Sequence, residues 1–206
     1  MKRLDNRADF STDEAFANFR GLILGNQISA NFYRSASSTN NKYGRAKTVQ
    51  EIMQRNQINT VIDFSNLQCR CQSDRFGYAV AKSLRKLQSK QLPCIIQCDA
   101  GKKRTGFVCI ILEALSGTSY DNIIQDYLES YRNNNGLDTA SDPATTQKII
   151  QQNINPRIEH IVNLTSTEFA AADLNVTVLQ TAATKYLLHY GMTLTEIANL
   201  QKLLLK

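Results

Sequence analysis

The chain has 206 residues, a length that fits one ordinary domain, and 42% of them are hydrophobic, enough for a sizeable core. A largely disordered chain is therefore excluded, and no apolar run approaches the roughly 20 residues that a membrane helix needs. The formal charge of +6 favours anionic partners without selecting among nucleic acids, lipid headgroups and phosphoesters.

The N-terminal part, to about Phe19, is polar, and we expect it to fray or to cover a surface. It contains no secretory signal, so we expect a cytoplasmic protein, with export by a signal-independent route left open. Residues 28–35 mix β-branched and aromatic side chains after a turn at residues 25–26, which predicts a strand. Residues 45–55 place their apolar side chains on one face of a predicted helix.

The next segment predicts a strand, a helix and a second strand. Residues 60–64 and 93–97 are short apolar runs typical of buried strands. Between them, residues 76–87 have helical periodicity, and Ser73 or Asp74 is placed to cap the helix. This order predicts a parallel pair of strands with a right-handed crossover.

The rest of the chain has helical periodicity. An apolar helix over residues 107–115 ends near Gly117, and a second helix covers residues 120–131. Beyond a polar boundary we expect helices at residues 147–152, 157–162, 176–190 and 193–204, the last with a capping box of Thr193 and Glu196. We therefore predict one α/β domain over residues 1–206, with its core at about 20–135 and a helical C-terminal part at about 143–206.

The five cysteines offer little for a disulfide framework or a metal site. They are too few and too irregularly spaced for a framework, so reduced thiols are expected. Cys69 and Cys71 form a C-x-C pair, but a second pair or nearby histidines would be needed for zinc. The other three are Cys94, Cys98 and Cys109. The question that remains is whether one of the thiols is reactive.

The informative segment is residues 94–107, where a buried strand ends at Cys98 and Arg104 opens an apolar helix six residues later. The amides of such a loop and the positive end of the helix form a cradle for phosphate. Gly101 allows the backbone to turn, and Gly106 permits close approach of the helix to the sheet. The expected substrate-binding residues are Asp99, Ala100, Gly101, Lys102 and Lys103.

The same field stabilises a thiolate at Cys98, which can attack a bound phosphoryl group in line. Arg104 offers a planar fork for two equatorial oxygens, and Thr105 is placed to hydrogen-bond the sulfur and ease its departure. This predicts two-step phosphomonoester hydrolysis that needs no metal or other cofactor. The competing interpretation is an inert core thiol beside a solvated run of charge at residues 102–104.

The loop resembles the phosphate-binding loop of the cysteine-dependent protein-tyrosine-phosphatase superfamily, in particular a bacterial tyrosine-phosphatase-like group with the pattern HC-x-x-GK-D-RTG. Residues 31–35, 60–63, 106–117, 126–131 and 186–191 are also similar to segments of that group. The resemblance covers the chain from about Phe19 onward. It implies a phosphatase-like fold, with a central, mostly parallel sheet flanked by helices, and substrates that are phosphotyrosine proteins, phosphoinositides or inositol phosphates.

Three features depart from that pattern. Gln97 stands where the group has histidine, and Lys103 stands where it has aspartate. The stretch between Phe64 and the nucleophile is short, and the chain has no tryptophan, so a Trp-Pro-Asp acid loop is impossible. A pseudophosphatase that binds phosphate with little turnover is therefore the alternative to an active enzyme.

The candidates for the general acid are Asp74 and, slightly behind it, Asp63. Asp74 could equally be a helix N-cap, and Asp63 could be a structural acceptor at the end of its strand. Asp99 ranks lower, because we expect it to point outward. A weak acid favours phenolic leaving groups, whereas Lys102 and Lys103 suit multiply phosphorylated ligands. We expect no nucleic-acid partner, while peripheral contact with anionic lipid stays open.

Overall fold

The computed structural model describes residues 1–164 and 174–206. Its centre is a four-stranded sheet with strand order β1-β2-β4-β3. The strands are β1 (Arg20–Leu24), β2 (Gln27–Ala36), β3 (Thr60–Asp63) and β4 (Cys94–Cys98). β1 and β2 form an antiparallel hairpin, and β4 runs parallel to both β2 and β3. The predicted α/β fold with a mostly parallel sheet is confirmed.

Helices flank this sheet and form the C-terminal part. In chain order the described helices are α1 (Asp13–Ala17), α2 (Ala46–Arg55), α3 (Asp74–Leu87), α4 (Lys103–Leu115), α5 (Tyr120–Asn135), α6 (Pro143–Ile149), α7 (Asn155–Asn163), α8 (Val176–His189) and α9 (Leu194–Leu204). A π-helical segment joins α6 to α7. No helix in the described ranges is long and apolar enough to cross a membrane. Residues 165–173, within the predicted helical C-terminal part, lie outside the described residues.

The strand and helix that flank Cys98 are the most buried elements. All five residues of β4 are buried, and α4 is buried from Thr105 to Leu115. Because α4 is apolar on every side, it can only be stable with neighbours all around it. One apolar core contains both elements and extends into α8 and α9. Close packing therefore fixes the turn between β4 and α4 on both sides.

Two strands differ from the sequence prediction. β1 was not predicted, although its Leu22 and Leu24 are buried and a two-residue turn with positive φ at Gly25 and Asn26 joins it to β2. β3 was expected to be buried, but it is an edge strand, and 41% of Val61 is exposed. A short apolar run does not distinguish an edge strand from a central one, because that depends on which strand inserts between its neighbours.

Candidate active site

The loop from Cys98 to Lys103 presents unused backbone donors. α4 begins at Lys103, and its N-cap residue, Lys102, makes no side-chain capping bond. Within the described residues, no hydrogen bond uses the backbone N–H of Lys102, Lys103 or Arg104. The N–H of Gly101 donates to the carbonyl of Cys98 at 3.0 Å and so closes the turn. An uncapped helix N-terminus with free amides is a site for an anion.

Gly101 is required by both conformation and space. Its φ is +62°, and a Cβ at this position would lie 2.3 Å from the carbonyl of Ser35 in β2. The Gly101 carbonyl accepts hydrogen bonds at 2.9 Å from Arg34 Nη2 and from Asn18 Nδ2. The predicted role of Gly101 in the turn is confirmed, and the loop is held against the end of β2.

Arg34 is fully buried and pairs with Asp126, which also accepts a bond from Arg20 Nε at 2.7 Å. Burial alone would raise the pKa of Asp126, but the two guanidinium groups hold it below its usual value. Arg34 is therefore a structural residue paired with Asp126. Through its bond to the Gly101 carbonyl, Arg34 holds the loop between β4 and α4 in place.

Cys98 is only 2% exposed and lines a cavity of about 350 Å³. The other lining residues are Met1, Arg3, Tyr43, Asp99, Ala100, Lys102, Lys103, Arg104 and Asn135. Four of the five expected substrate-binding residues therefore line this cavity with Cys98 and Arg104. Gly101 is not among the lining residues.

The Arg104 guanidinium is held by the loop that follows β3. Its Nη1 donates to the carbonyls of Phe64, Ser65 and Leu67 at 2.5, 2.7 and 3.1 Å. Its Nη2 donates to Asp99 Oδ2 at 2.5 Å. Arg104 is thus oriented at the cavity wall before any substrate arrives.

The expectation that Asp99 points outward is wrong. Asp99 lines the cavity, pairs with Arg104, and accepts a hydrogen bond from Asn40 Nδ2 at 2.8 Å. It is the one carboxylate among the described residues that line this cavity. Two donors orient it, one from the loop after β2 and one from α4.

Neither of the two preferred acid candidates lines the cavity. Asp74 is exposed at the start of α3, where Ser73 provides the cap, and its Oδ1 accepts a bond from the Tyr190 hydroxyl at 3.1 Å. Asp63 Oδ1 accepts from the backbone N–H of Ser65 at 2.7 Å. The interpretation of Asp63 as a structural acceptor matches these contacts.

Two expectations about the start of α4 are not met. The Thr105 hydroxyl is buried and has no hydrogen-bond partner in the described part of the chain, so the expected bond to the Cys98 sulfur is absent. A Cβ at Gly106 would lie 2.5 Å from the ring of Tyr127 in α5. Gly106 therefore allows two helices to approach each other, and its predicted approach to the sheet was wrong.

Gln97 organises the loop after β2. It is fully buried, its Oε1 accepts from the Ser38 hydroxyl at 2.9 Å, and its Nε2 donates to the Ser35 hydroxyl at 3.1 Å. Glutamine provides a donor and an acceptor at once, as a neutral histidine would, so the substitution retains hydrogen bonding to this loop.

Lys102 is the buried cation of the cavity. Its Nζ donates to Asn135 Oδ1 at 2.7 Å and lies 4.1 Å from the centre of the Tyr131 ring. Burial lowers the pKa of Lys102 to about 8, and the neighbouring cations Arg3 and Lys103 act in the same direction. The cavity lining at the N-terminus of α4 therefore carries more positive than negative charge.

The N-terminal segment covers a surface, and that surface includes the rim of the cavity. Leu4 N–H donates to the Asn134 carbonyl at 2.9 Å, and Arg45 Nη2 donates to the Leu4 carbonyl at 2.6 Å. This brings the Arg3 guanidinium to the cavity, 3.7 Å from the centre of the Tyr43 ring. Arg3, Tyr43 and Asn18 could not be predicted from the sequence, because no local pattern links them to the loop.

Comparison with known families places this site in context. The model of the tyrosine phosphatase family matches residues 41–206, which is more than half of the chain and includes β4, the loop and α4. The chain belongs to the tyrosine phosphatase family, as its resemblance to the superfamily predicted. None of the curated proteins compared with the chain matches it. The chain is therefore a phosphatase by family, and its substrate is a phosphorylated compound.

Proposed function

We propose that the protein hydrolyses phosphomonoesters through a cysteinyl-phosphate intermediate on Cys98. The observation that carries this proposal is the placement of Cys98 and Arg104 on one cavity at the uncapped N-terminus of α4. A phosphate dianion in that cavity would meet free amides, the helix dipole, Arg104 and Lys102. The thiol and the anion-binding groups would then contact the same ligand.

In the first step the Cys98 sulfur attacks phosphorus, the P–S bond forms, and the ester P–O bond breaks in line. Arg104 stabilises the charge on the equatorial oxygens. The leaving oxygen departs as a phenolate or alkoxide that takes a proton from solvent water. In the second step water attacks phosphorus, inorganic phosphate leaves, and the thiolate is restored.

The leaving group is most readily a phenol. Asp99 is the only carboxylate at the cavity within the described residues, and both of its oxygens already accept hydrogen bonds. A phenolate departs with less proton assistance than an alkoxide, because a phenol is far more acidic than an alcohol. Phosphotyrosine proteins are therefore the substrates we favour. Phosphoinositides and inositol phosphates are the alternative, supported by the cations Arg3, Lys102 and Lys103.

The test is hydrolysis of an aryl phosphate by the wild type, by Cys98→Ser and by Cys69→Ser. Cys69 is a free, half-buried thiol outside this cavity, so it controls for loss of any cysteine. We expect turnover by the wild type and by Cys69→Ser but not by Cys98→Ser. Mass spectrometry of rapidly quenched enzyme should show phosphate on the peptide that contains Cys98. Turnover that survives Cys98→Ser would refute the proposal.

A pseudophosphatase is the second candidate. It is favoured by the Asp99–Arg104 ion pair, which places a negative charge where phosphate would bind, and by the lack of another carboxylate at the described cavity lining. Wild-type turnover indistinguishable from that of Cys98→Ser, with phosphate binding retained in both, would support it. Measurable burst kinetics in the wild type would exclude it.

A further inference from the structure

A groove of about 390 Å³ lies between the edge strand β3 and the C-terminal end of α3. Its lining residues are Asn59, Thr60, Val61, Ile62, Asp63, Ser83, Lys86, Leu87 and Lys90. All four residues of β3 are among them, and none of the nine lines the cavity of Cys98. The groove is therefore a separate site, and what it binds does not depend on the proposed function.

The outer edge of β3 has free backbone groups. β3 pairs with β4 on one side, and no strand in the described residues pairs with its other side. The N–H of Phe64, directly after β3, donates to the Gln97 carbonyl of β4 at 2.9 Å. Successive residues of a strand direct their N–H and C=O groups to opposite sides, so Ile62 also faces β4. The N–H and C=O groups of Val61 and Asp63 therefore point to the free edge, where an added strand can use them.

The side chains of β3 do not prevent such pairing. The strand contains neither lysine nor proline, the residues that commonly protect a free edge. Val61 is an exposed apolar side chain, and the buried Ile62 and Leu87 also line the groove. A groove with an apolar part, bounded by a strand edge and a helix, suits an extended polypeptide.

The charge of the groove is positive and unpaired. Lys86 and Lys90 are exposed and form no salt bridge within the described residues. Asp63 is the one carboxylate of the described lining, and its Oδ2 accepts from the hydroxyls of Ser37 and Thr39 at 2.9 and 3.2 Å. Its Oδ1 accepts from an amide of the loop after β3. Both oxygens of Asp63 are thus already hydrogen-bonded, and the two lysines are left to attract an acidic partner.

We propose that this groove binds an extended, acidic segment of a partner protein, which adds to the sheet as a strand beside β3. The backbone of the segment bonds to Val61 and Asp63, and its carboxylates face Lys86 and Lys90. A polypeptide is favoured over a nucleic acid or a lipid headgroup, because only a polypeptide presents N–H and C=O groups in alternation along a strand edge. A second copy of this chain is disfavoured, because two copies that each carry a formal charge of +6 repel each other.

The first experiment measures the affinity of a fluorescent peptide that alternates glutamate with valine. We expect it to bind, whereas a peptide with lysine in place of glutamate should not. Combining Lys86→Gln with Lys90→Gln should weaken binding about fivefold, because two exposed charge pairs are lost. Combining Lys82→Gln with Lys148→Gln removes the same charge at exposed residues outside the groove, and it should leave the affinity unchanged.

The second experiment separates strand addition from attraction between charges. Hydrogen exchange followed by NMR at saturating peptide should slow at the amides of Val61 and Asp63 and change little at Ile62, which already faces β4. A peptide N-methylated at every amide keeps its charge but loses its donors, so it should bind more weakly. Val61→Pro removes an outward donor, a change that an edge strand tolerates, and should weaken binding about fivefold. Thermal melting shows whether this variant is folded, and the lysine variants provide a test if it is not.

Several outcomes would overturn the inference. The first is no binding of the acidic peptide at millimolar concentration, and the second is equal binding by the variant that lacks both lysines. Binding that leaves the exchange of the Val61 and Asp63 amides unchanged would refute strand addition. Equally tight binding of a single-stranded DNA hexanucleotide would refute the assignment to a polypeptide. Slow exchange at these amides without peptide, together with a dimer in sedimentation, would assign the edge to a second copy of the chain.

Discussion

Asp99 and Arg104 form an ion pair across the loop between β4 and α4, with Asp99 Oδ2 2.5 Å from Arg104 Nη2. The other nitrogen of the guanidinium, Nη1, donates to three carbonyls of the loop after β3. The Arg104 guanidinium is therefore already oriented, but one of its donors is shared with a protein carboxylate. A phosphate ligand must therefore compete with Asp99 for the Arg104 Nη2 donor or bind beside the ion pair.

The variant Asp99→Asn should bind phosphate more tightly. It removes the negative charge next to Arg104 and leaves a side chain of the same shape, so we expect the dissociation constant for inorganic phosphate to fall about tenfold. Calorimetry on the Cys98→Ser background measures this. Asp74→Asn is the matched control, since Asp74 is exposed and lies outside the cavity. An unchanged affinity in Asp99→Asn would show that the ion pair does not compete with phosphate.

The variant Arg104→Lys should lose activity although the charge is kept. A lysine ammonium is a point charge and cannot donate to the β3 loop and to two phosphate oxygens in the geometry of the fork. We expect kcat for an aryl phosphate to fall by about 10³-fold or more. Arg132→Lys, at a surface pair with Glu129, should keep wild-type kcat. A fall of less than tenfold in Arg104→Lys would contradict the assigned role.

The variant Thr105→Val tests whether the Thr105 hydroxyl acts in catalysis or contributes to the stability of the fold. The Thr105 hydroxyl has no partner in the described residues, so its loss should leave the free energy of unfolding nearly unchanged. If the hydroxyl assists departure of sulfur during turnover, breakdown of the intermediate should slow about tenfold and a burst of product should appear. Thr118→Val is the control for stability. Its hydroxyl donates to the Ile23 carbonyl at 2.7 Å, so its loss should cost about 1–2 kcal/mol.

If Thr105→Val destabilises the protein as much as Thr118→Val, the Thr105 hydroxyl has a structural partner. If steady-state kcat and the burst are both unchanged, it has no role in the second step.

Binding of phosphate should weaken above pH 8 because of Lys102. The pKa of Lys102 is lowered to about 8, so the ammonium is present below that pH and is lost as the pH rises through it. Inorganic phosphate itself loses its second proton near neutral pH, so the effect of Lys102 is measured as the difference between the wild type and Lys102→Met at each pH. We expect affinity to fall severalfold between pH 7 and about 9 in the wild type. Lys102→Met should bind more weakly at pH 7 and show a flatter profile. If the affinity falls equally with pH in the wild type and in Lys102→Met, Lys102 is not the titrating group.

Glu113 should make stability depend on pH. It is fully buried in α4, and burial raises its pKa well above the usual value, with the neighbouring Asp126 adding to the rise. A raised pKa means that its contribution is present below the unfolded-state pKa and is lost as pH rises towards the folded-state pKa. Urea unfolding should show this loss in the wild type. Glu113→Gln, which resembles the protonated acid, should remove it, and identical slopes in both proteins would contradict the assignment.

Much of the site could be predicted from neighbouring residues alone. The apolar run before Cys98, Gly101 in the turn and the apolar helix after Arg104 are local patterns, and local patterns set strand, turn and helix. They located the turn between β4 and α4 and the parallel pair of β3 and β4. The family match over residues 41–206 agrees with that prediction.

The tertiary structure decided what surrounds the loop. Four features depend on contacts between distant parts of the chain. These are the position of β3 at the sheet edge, the inward orientation of Asp99, the approach of Arg3 to the cavity of Cys98, and the convergence of Arg70 and Arg157 on a neighbouring cavity. Side-chain periodicity records which face of an element is apolar. It contains no information on which polar group from elsewhere will neutralise a charge, because that is settled only when the packed elements bring those groups within hydrogen-bonding distance.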